Sequence, residues 1–170
     1  MTILEEIRTS AKKHKELVGY LSQKIIHDGK LFGELVESLE AGSDVEKGTV
    51  AEVMKYVTAE KPEYALPFID TLISYINYKA PRVMWGIPES IGNIGRKYPD
   101  KVSKAIPKLL LNTKDKSTVI HWCAAYGLTE IAKASPKIAK ELLVDFNRII
   151  AQEQNNGVKN VYLKALKAIT

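Results

Sequence analysis

A spacing of 37 residues recurs along this chain and constrains its fold more than any other feature. Pro62, Pro99 and Pro136 follow one another at this interval, and so do the only two tryptophans, Trp85 and Trp122. Self-similarity at a period of this length is typical of repeat architectures, in which each unit buries its apolar face against its neighbours. The sequence therefore predicts an array of similar structural units.

The apolar residues within one period have the spacing of an α-helix. Val83, Ile87, Ile91 and Ile94 recur at intervals of four, four and three residues, which places them along one helix face. Residues 120–131 repeat the pattern one period later, and weaker copies precede and follow these two. We therefore expect a helix with one buried face in every unit.

A further helix is predicted at the start of each period. Segments 62–78, 99–113 and 136–154 all begin at proline, which suits the first turn of a helix because its missing N–H has no partner there. The first two segments contain a second proline, Pro67 or Pro107. Each unit is thus expected to consist of a helix, a turn and a second helix.

The stretch PRVMWGIPESIGNIG, residues 81–95, is rich in glycine but does not fit a phosphate-binding loop. Such a loop follows a β-strand and opens a helix, whereas the segment before residue 81 has a helical pattern. We interpret Gly86 and Gly95 as positions that let neighbouring helices approach closely. Pro88 lies within the helical pattern and is expected to bend it, because it lacks an N–H.

The repeat divides the chain into an N-terminal segment and an array. Residues 29–170 are expected to form about four helical hairpins, with units at about 30–61, 62–98, 99–135 and 136–170.

The N-terminal segment, residues 1–28, lies outside the repeat. Its apolar residues from Leu4 to Ile25 alternate at steps of three and four, which predicts one helix of about 24 residues. We interpret it as a cap over the first unit's open apolar edge. A coiled-coil dimer seam is the alternative, although Ala11 and His14 weaken such a seam.

The order of motifs resembles a known family. The pattern P-E-x-A-L-P-x-x-x-x-L, followed by A/I-x-x-x-I/L-G-x-I-G/A, is similar to HEAT repeats of the armadillo-type α-solenoid family, over about residues 30–170. This resemblance implies a right-handed α–α superhelix that serves binding and scaffolding. It carries no catalytic residue with it, so we expect a protein that is not an enzyme.

The best candidate site lies on the second helix of each unit, opposite its buried face. At about 100° per residue, this surface collects aromatic and charged side chains on two consecutive units. Aromatic residues and arginine are typical of binding hot spots. We therefore expect a protein or peptide partner here, unless the tryptophans simply pack across a neighbouring helix. The candidate residues are Trp85, Glu89, Arg96, Trp122, Tyr126 and Lys133.

Charge suggests nucleic acid as the alternative partner. Residues 1–85 contain 11 Lys and Arg against 13 Asp and Glu, whereas residues 86–170 contain 14 against 7. Lys101, Lys104 and Lys108 fall on one face of a predicted first helix and are candidate phosphate contacts. A solvated outer face is the simpler explanation of these lysines.

One enzymatic version of this alternative comes from a second resemblance. HEAT-like DNA glycosylases for alkylated bases hold a damaged nucleotide against concave aromatic and acidic residues, and Trp85, Glu89 and Trp122 are of matching types. The family's usual aspartate and its many groove arginines are not matched.

Other chemistry finds little support in the sequence. His121 and Cys123 provide two metal-type ligands, whereas a zinc site needs three or four, so we expect no metal and no cofactor. Cys123 is the only cysteine and is interpreted as a packing residue.

No apolar run reaches the roughly 18 residues of a membrane span. We expect a cytoplasmic protein that is monomeric or weakly self-associating. A structural subunit of a larger assembly is a third hypothesis.

Overall fold

The computed structural model describes residues 1–170, and it consists of helices without a single β-strand. The predicted all-α class is confirmed. Three short 3-10 segments, Pro62–Phe68, Pro99–Lys101 and Ser103–Ala105, accompany the α-helices. The α-helices are α1 (Ile3–Thr9), α2 (His14–His27), α3 (Leu31–Ala41), α4 (Asp44–Glu60), α5 (Ile69–Ser74), α6 (Pro81–Gly95), α7 (Ile106–Asn112), α8 (Thr118–Ala134), α9 (Pro136–Gln152) and α10 (Asn156–Ile169).

The helices form two layers around one continuous core. Helices α4, α6, α8 and α10 stack side by side in sequence order, and α2 packs against α4 at the start of the row. Helices α3, α5, α7 and α9 each pack against the helix that follows them and form the second layer. Each helix pair contacts mainly the pairs next to it, and a single cluster of buried apolar side chains joins them all.

Glycines allow the row of second helices to pack closely. A methyl group added at Gly86 would lie 2.6 Å from the backbone carbonyl of Ala51 in α4. At Gly95 it would lie 2.5 Å from Cγ1 of Ile131 in α8. The predicted role of these two glycines in close helix approach is confirmed. The row of second helices is therefore the more closely packed of the two layers.

Helix α6 continues without interruption through Pro88. Pro88 leaves the carbonyl one turn earlier without its usual backbone donor. The Ser90 hydroxyl, two residues later, donates a 2.8 Å hydrogen bond to the carbonyl of Gly86. The expected bend at Pro88 does not interrupt the helix, and its residues from Ser90 to Gly95 are all buried.

The first helices of two units differ from the prediction. Segments 62–78 and 99–113 were expected to be continuous α-helices, yet each begins with 3-10 turns and becomes α-helical only at Ile69 or Ile106. The inner prolines explain this difference, because proline cannot donate the backbone bond that an α-helix requires in its interior. The segment that starts at Pro136 has no inner proline and forms the uninterrupted helix α9.

The single N-terminal helix predicted for residues 1–28 is wrong. Helix α1 ends at Thr9 and α2 begins at His14, with an extended residue at Ser10 between them. The Ser10 hydroxyl accepts a hydrogen bond of 3.1 Å from the backbone N–H of Lys12, so a local turn replaces helical bonding. Ala11 lies in this break and is exposed.

The apolar residues of α2 belong to the chain's own core. Val18, Leu21 and Ile25 are buried there, which leaves these side chains unavailable for a coiled-coil seam with a second chain. His14 lies outside this buried set and is half exposed. A capping role for residues 1–28 remains our interpretation.

Helix α1 is held to α4 by an ion pair with a pH dependence. The Arg8 guanidinium donates hydrogen bonds of 2.8 and 3.2 Å to the Glu46 carboxylate and thereby lowers the pKa of Glu46 from 4.5 to about 2. A carboxylate with a lowered pKa stabilises the fold above its unfolded-state value, and this contribution disappears as the pH falls towards 2.

We therefore expect Glu46→Gln to lower the free energy of unfolding by about 1 kcal/mol at pH 6, because half-exposed ion pairs contribute little. Glutamine preserves the capping box with Ser43, so the ion pair alone is removed. Urea unfolding at pH 6 and pH 3 measures the effect, which should shrink at the lower pH. A difference that stays constant between the two pH values would contradict the assignment.

Candidate functional site

The exposed face of the second-helix row carries both tryptophans. Trp85 on α6 and Trp122 on α8 are 36% and 39% exposed, which is unusual for side chains of this size. They occupy equivalent positions on adjacent helices, one period apart. Two large apolar side chains are therefore exposed at equivalent positions of neighbouring helices.

Trp122 is partly supported by its own helix. Its ring stacks on Tyr126, with 5.7 Å between the ring centroids and 10° between the ring planes. The Tyr126 hydroxyl donates a 2.5 Å hydrogen bond to Oδ1 of Asn93 on α6. The Asn93 amide in turn donates to the carbonyl of Lys55 on α4, at 3.0 Å. This chain of hydrogen bonds crosses three helices and fixes the orientation of the aromatic pair.

A small cavity lies beside Trp85, between α4 and α6. It has a volume of about 110 Å³, and it is lined by Gly48, Glu52, Lys55, Arg82, Trp85, Gly86 and Glu89. Glu89 is half-buried, and desolvation raises the pKa of its carboxyl group. Its nearest cation, the Nζ of Lys55, is 4.0 Å away. The cavity thus combines an aromatic wall with a carboxylate that is only loosely paired.

Cys123 lies behind this cavity and behaves as a packing residue. Its side chain is 1% exposed, and its thiol donates to Oε1 of Glu89 at 3.5 Å. Burial, reinforced by the neighbouring Glu89 carboxylate, raises the pKa of the thiol. A thiol that stays protonated is a poor nucleophile, which agrees with the interpretation from the sequence.

The predicted basic members of the site have acidic partners. Glu130, 8% exposed, forms an ion pair with Lys133 and lies 3.9 Å from the Arg96 guanidinium. On the other side of α6, Glu52 of α4 lies 3.3 Å from Arg82 and 2.7 Å from His14. These pairs reduce the positive charge available along the row. The sequence prediction missed Glu130 because it lies one residue away from the expected face.

The three lysines predicted as phosphate contacts do not share one α-helical face. Lys101 and Lys104 lie in two different 3-10 segments, and only Lys108 lies in an α-helix, α7. Lys101 and Lys104 are exposed, whereas Lys108 is partly buried. All three belong to the first-helix layer, so the structure does not bring them together with the tryptophan row. The prediction assumed a continuous α-helix over residues 99–113. The 3-10 turns at the start of this segment change the angle between successive residues, so the three lysines do not align as predicted.

Both ring nitrogens of His121 already have partners within the chain. Its Nδ1 lies 2.9 Å from the Glu153 carboxylate, and its Nε2 contacts the carbonyl of Asp115. This arrangement ties the turn before α8 to the turn before α10. Nowhere in residues 1–170 do three His, Cys, Asp or Glu side chains come together with the geometry of a metal site.

A second cavity, the α2/α4 groove, was not anticipated from the sequence. It has a volume of about 540 Å³ and is lined by Lys15, Val18, Gly19, Ser22, Gln23, Ile26, Glu52, Tyr56, Ala59 and Glu60. The available signal was Gly19, a glycine in the middle of a helix where no turn is needed. A methyl group added there would meet no other atom within 4 Å.

Gly19 is therefore expected to reduce stability without a structural benefit. Glycine in a helix interior costs about 0.5 to 1 kcal/mol relative to alanine. We expect Gly19→Ala to raise the free energy of unfolding by about that amount, because the added methyl group enters open space. Urea unfolding followed by circular dichroism measures it. A destabilised variant would show that Gly19 does have a structural role.

Comparison with known proteins identifies solved structures that have a similar fold. No family model matches the sequence, and no curated protein matches it. Among solved structures, a designed armadillo repeat protein in complex with the peptide (KR)4 superimposes with a TM-score of 0.78 at 16% identity, over 99% of this chain and 80% of that chain. Computationally designed armadillo repeat proteins for modular peptide recognition give 0.69 at 17% identity, over 98% and 81%. An engineered protein gives 0.74 at 14%, over 99% and 79%.

These similarities establish the class of fold. The chain has a HEAT/armadillo-like helical repeat fold, a right-handed α–α superhelix, as its sequence motifs predicted. At this level of identity the likeness concerns the fold alone. None of its helices is both long and apolar enough to cross a lipid bilayer.

Proposed function

We propose that the protein is a non-enzymatic binding module whose second-helix row holds an extended peptide segment of a protein partner. Trp85 and Trp122 are the anchors, and Glu89, Tyr126, Arg96 and Lys133 surround them. The observation that carries this proposal is the exposure of two tryptophans at equivalent positions on adjacent helices. Large aromatic side chains on a rigid support contribute much of the affinity in protein interfaces.

At the Trp85 cavity we propose a basic side chain of the partner, which would compete with Lys55 for the Glu89 carboxylate. A lysine or arginine in this cavity would lie near the Trp85 ring and the loosely paired Glu89 carboxylate. Cation–π contact and charge pairing both strengthen such binding. One of the similar structures is a complex with the peptide (KR)4, whose side chains are all basic.

Nucleic acid is the less well supported partner. Phosphate binding requires several unpaired cations on one surface. Along the row, Arg96 and Lys133 both lie against Glu130, and Arg82 lies against Glu52. The surrounding acids therefore oppose the approach of a polyanion to the tryptophans.

Replacement of both tryptophans tests the proposal. Peptides are selected from a displayed library of random nonamers on the wild-type chain, and one selected peptide is resynthesised with a fluorescent label. We expect Trp85→Ala combined with Trp122→Ala to weaken its binding at least tenfold in fluorescence anisotropy, because both anchors are lost. Val144→Ala, a change at an exposed apolar residue of α9, is the control and should leave affinity unchanged. Equal affinity of the double variant and the wild type would contradict the site.

A further inference from the structure

We propose that the α2/α4 groove is a second anchor site for the same peptide, and that it takes an apolar side chain adjacent to a lysine or arginine. This inference rests on the proposed function and extends it. It assigns a role to α2, which the sequence identified only as part of a cap. It also states the chemistry of the partner at a second position.

The shape of the groove suits an apolar side chain. Its volume of about 540 Å³ is within the range of ligand sites in proteins. Val18 and Ile26 form one wall on α2, and Tyr56 forms the opposite wall on α4. Tyr56 is 48% exposed, and the Nζ of Lys55 lies 4.7 Å from its ring centroid. A side chain bound here would cover apolar surface that water now contacts.

Gly19 is the residue that keeps the groove open. Its backbone is helical, no glycine in the chain has a positive φ, and no neighbouring helix approaches it. In this respect Gly19 differs from Gly86, which has no room for a methyl group. A larger residue at position 19 would project into the groove and fill it. A role in ligand access explains the presence of glycine at position 19, whereas the packing of the helices does not.

The groove continues the proposed peptide surface. Glu52 lines both the groove and the cavity beside Trp85, so the two sites share a wall. Packed helices lie about 8 to 10 Å apart, and an extended chain advances about 3.3 Å per residue. One peptide crossing from α6 to α2 would therefore place its two anchor residues about three positions apart.

Charge favours a peptide with a basic residue beside the apolar one. Glu60 lines one end of the groove, is exposed and forms no ion pair. Glu52 lines the other end, and Lys15 is the only cation among the lining residues. Because Glu52 already pairs with Arg82 and His14, Glu60 is the carboxylate of the groove that would pair with a lysine or arginine of the peptide.

A filling substitution tests the proposal on the peptides selected above. Gly19→Leu places a leucine in the groove, and Glu16→Leu adds the same side chain to α2 outside it. We expect Gly19→Leu to weaken binding at least tenfold in fluorescence anisotropy and Glu16→Leu to change it less than twofold. Replacing the peptide's apolar anchor with asparagine should weaken binding to the wild type by a similar factor. The same replacement should have little further effect on Gly19→Leu.

Circular dichroism and urea unfolding check that Gly19→Leu is folded. If it is not, Ala59→Leu fills the groove from α4 and should give the same loss, because Ala59 is also an exposed lining residue. Unchanged peptide affinity in the folded filling variant would overturn the groove assignment.

The outcomes separate this inference from the proposed function. Binding that is lost in the double tryptophan variant but kept in Gly19→Leu overturns the groove alone. The reverse result supports the groove and overturns the tryptophan site. Failure to select any peptide overturns both. A wild-type dimer in light scattering that becomes monomeric in Gly19→Leu would identify the groove as a self-association surface and overturn the peptide assignment.

Discussion

Replacement of Gly86 with valine should lower the free energy of unfolding by about 3 kcal/mol. The first carbon of the new side chain would lie 2.6 Å from the backbone of Ala51, so α4 and α6 would have to separate. Overpacking of a well-packed core costs typically 1 to 3 kcal/mol, and here the contact is with backbone, which cannot rotate away. Urea unfolding monitored by circular dichroism measures the change.

Gly19→Val is the matched control for this variant. It introduces the same side chain into another helix interior, where no atom lies within 4 Å of the new carbon apart from the adjacent residues and the backbone of the same helix. Its effect should stay below about 0.5 kcal/mol, since only small differences in helix propensity are involved. If both valine variants lost the same stability, close packing between α4 and α6 would not explain the effect at Gly86.

Phe146→Ala should destabilise the last helix pair by about 4 kcal/mol. Phe146 on α9 is fully buried, and its ring lies 5.2 Å from that of Tyr162 on α10. Truncation of a buried phenylalanine to alanine costs about 3 to 5 kcal/mol, because contacts are lost and a cavity remains. The Tyr162 hydroxyl is buried without a hydrogen-bond partner in this region, so its packing depends on the adjacent ring.

Val144→Ala, on the same helix, separates burial from helix propensity. Val144 is 79% exposed, and its replacement should change the free energy of unfolding by less than about 0.5 kcal/mol. Thermal unfolding of the two variants beside the wild type gives the comparison. Similar effects at positions 144 and 146 would show that the core does not extend into α9 as described.

The sequence predicted the second helices well because their signals are local and repeated. The face formed by Val83, Ile87, Ile91 and Ile94 is completely buried in α6, as its spacing predicted. Gly86 was recognisable because a glycine inside a strong helical pattern usually marks a close approach. The periodicity of the apolar residues thus predicted both the second helices and the face of each that is buried.

The first helices and the N-terminal segment were harder to predict. Pro67 and Pro107 were visible in the sequence, but their conversion of the preceding turns to 3-10 geometry depends on competition between backbone bonding patterns. The break at Ser10 is similarly a local hydrogen-bonding choice inside an apolar pattern that continues across it. The spacing of the apolar residues alone predicts neither the 3-10 turns nor the break at Ser10.

Part of the candidate site was accessible from the same helical geometry. Trp85 and Trp122 could be assigned to one exposed face by counting 100° per residue. Glu130, which pairs with Arg96 and Lys133, comes from a neighbouring position and depends on side-chain reach. The α2/α4 groove depends on how two helices from different parts of the chain pack, which no single segment encodes.

The way in which each helix pair contacts mainly its neighbours has a consequence for cooperativity. Helices α9 and α10 join the rest of the molecule chiefly through α8, so the last pair has one supporting interface where an internal pair has two. In a chain of this kind, stability is approximately a sum of unit terms and nearest-neighbour terms. Fraying of this 170-residue chain should then begin at the ends of the row, and amide exchange should become slower from there towards the middle of the array. A single melting temperature would average over units that do not open together.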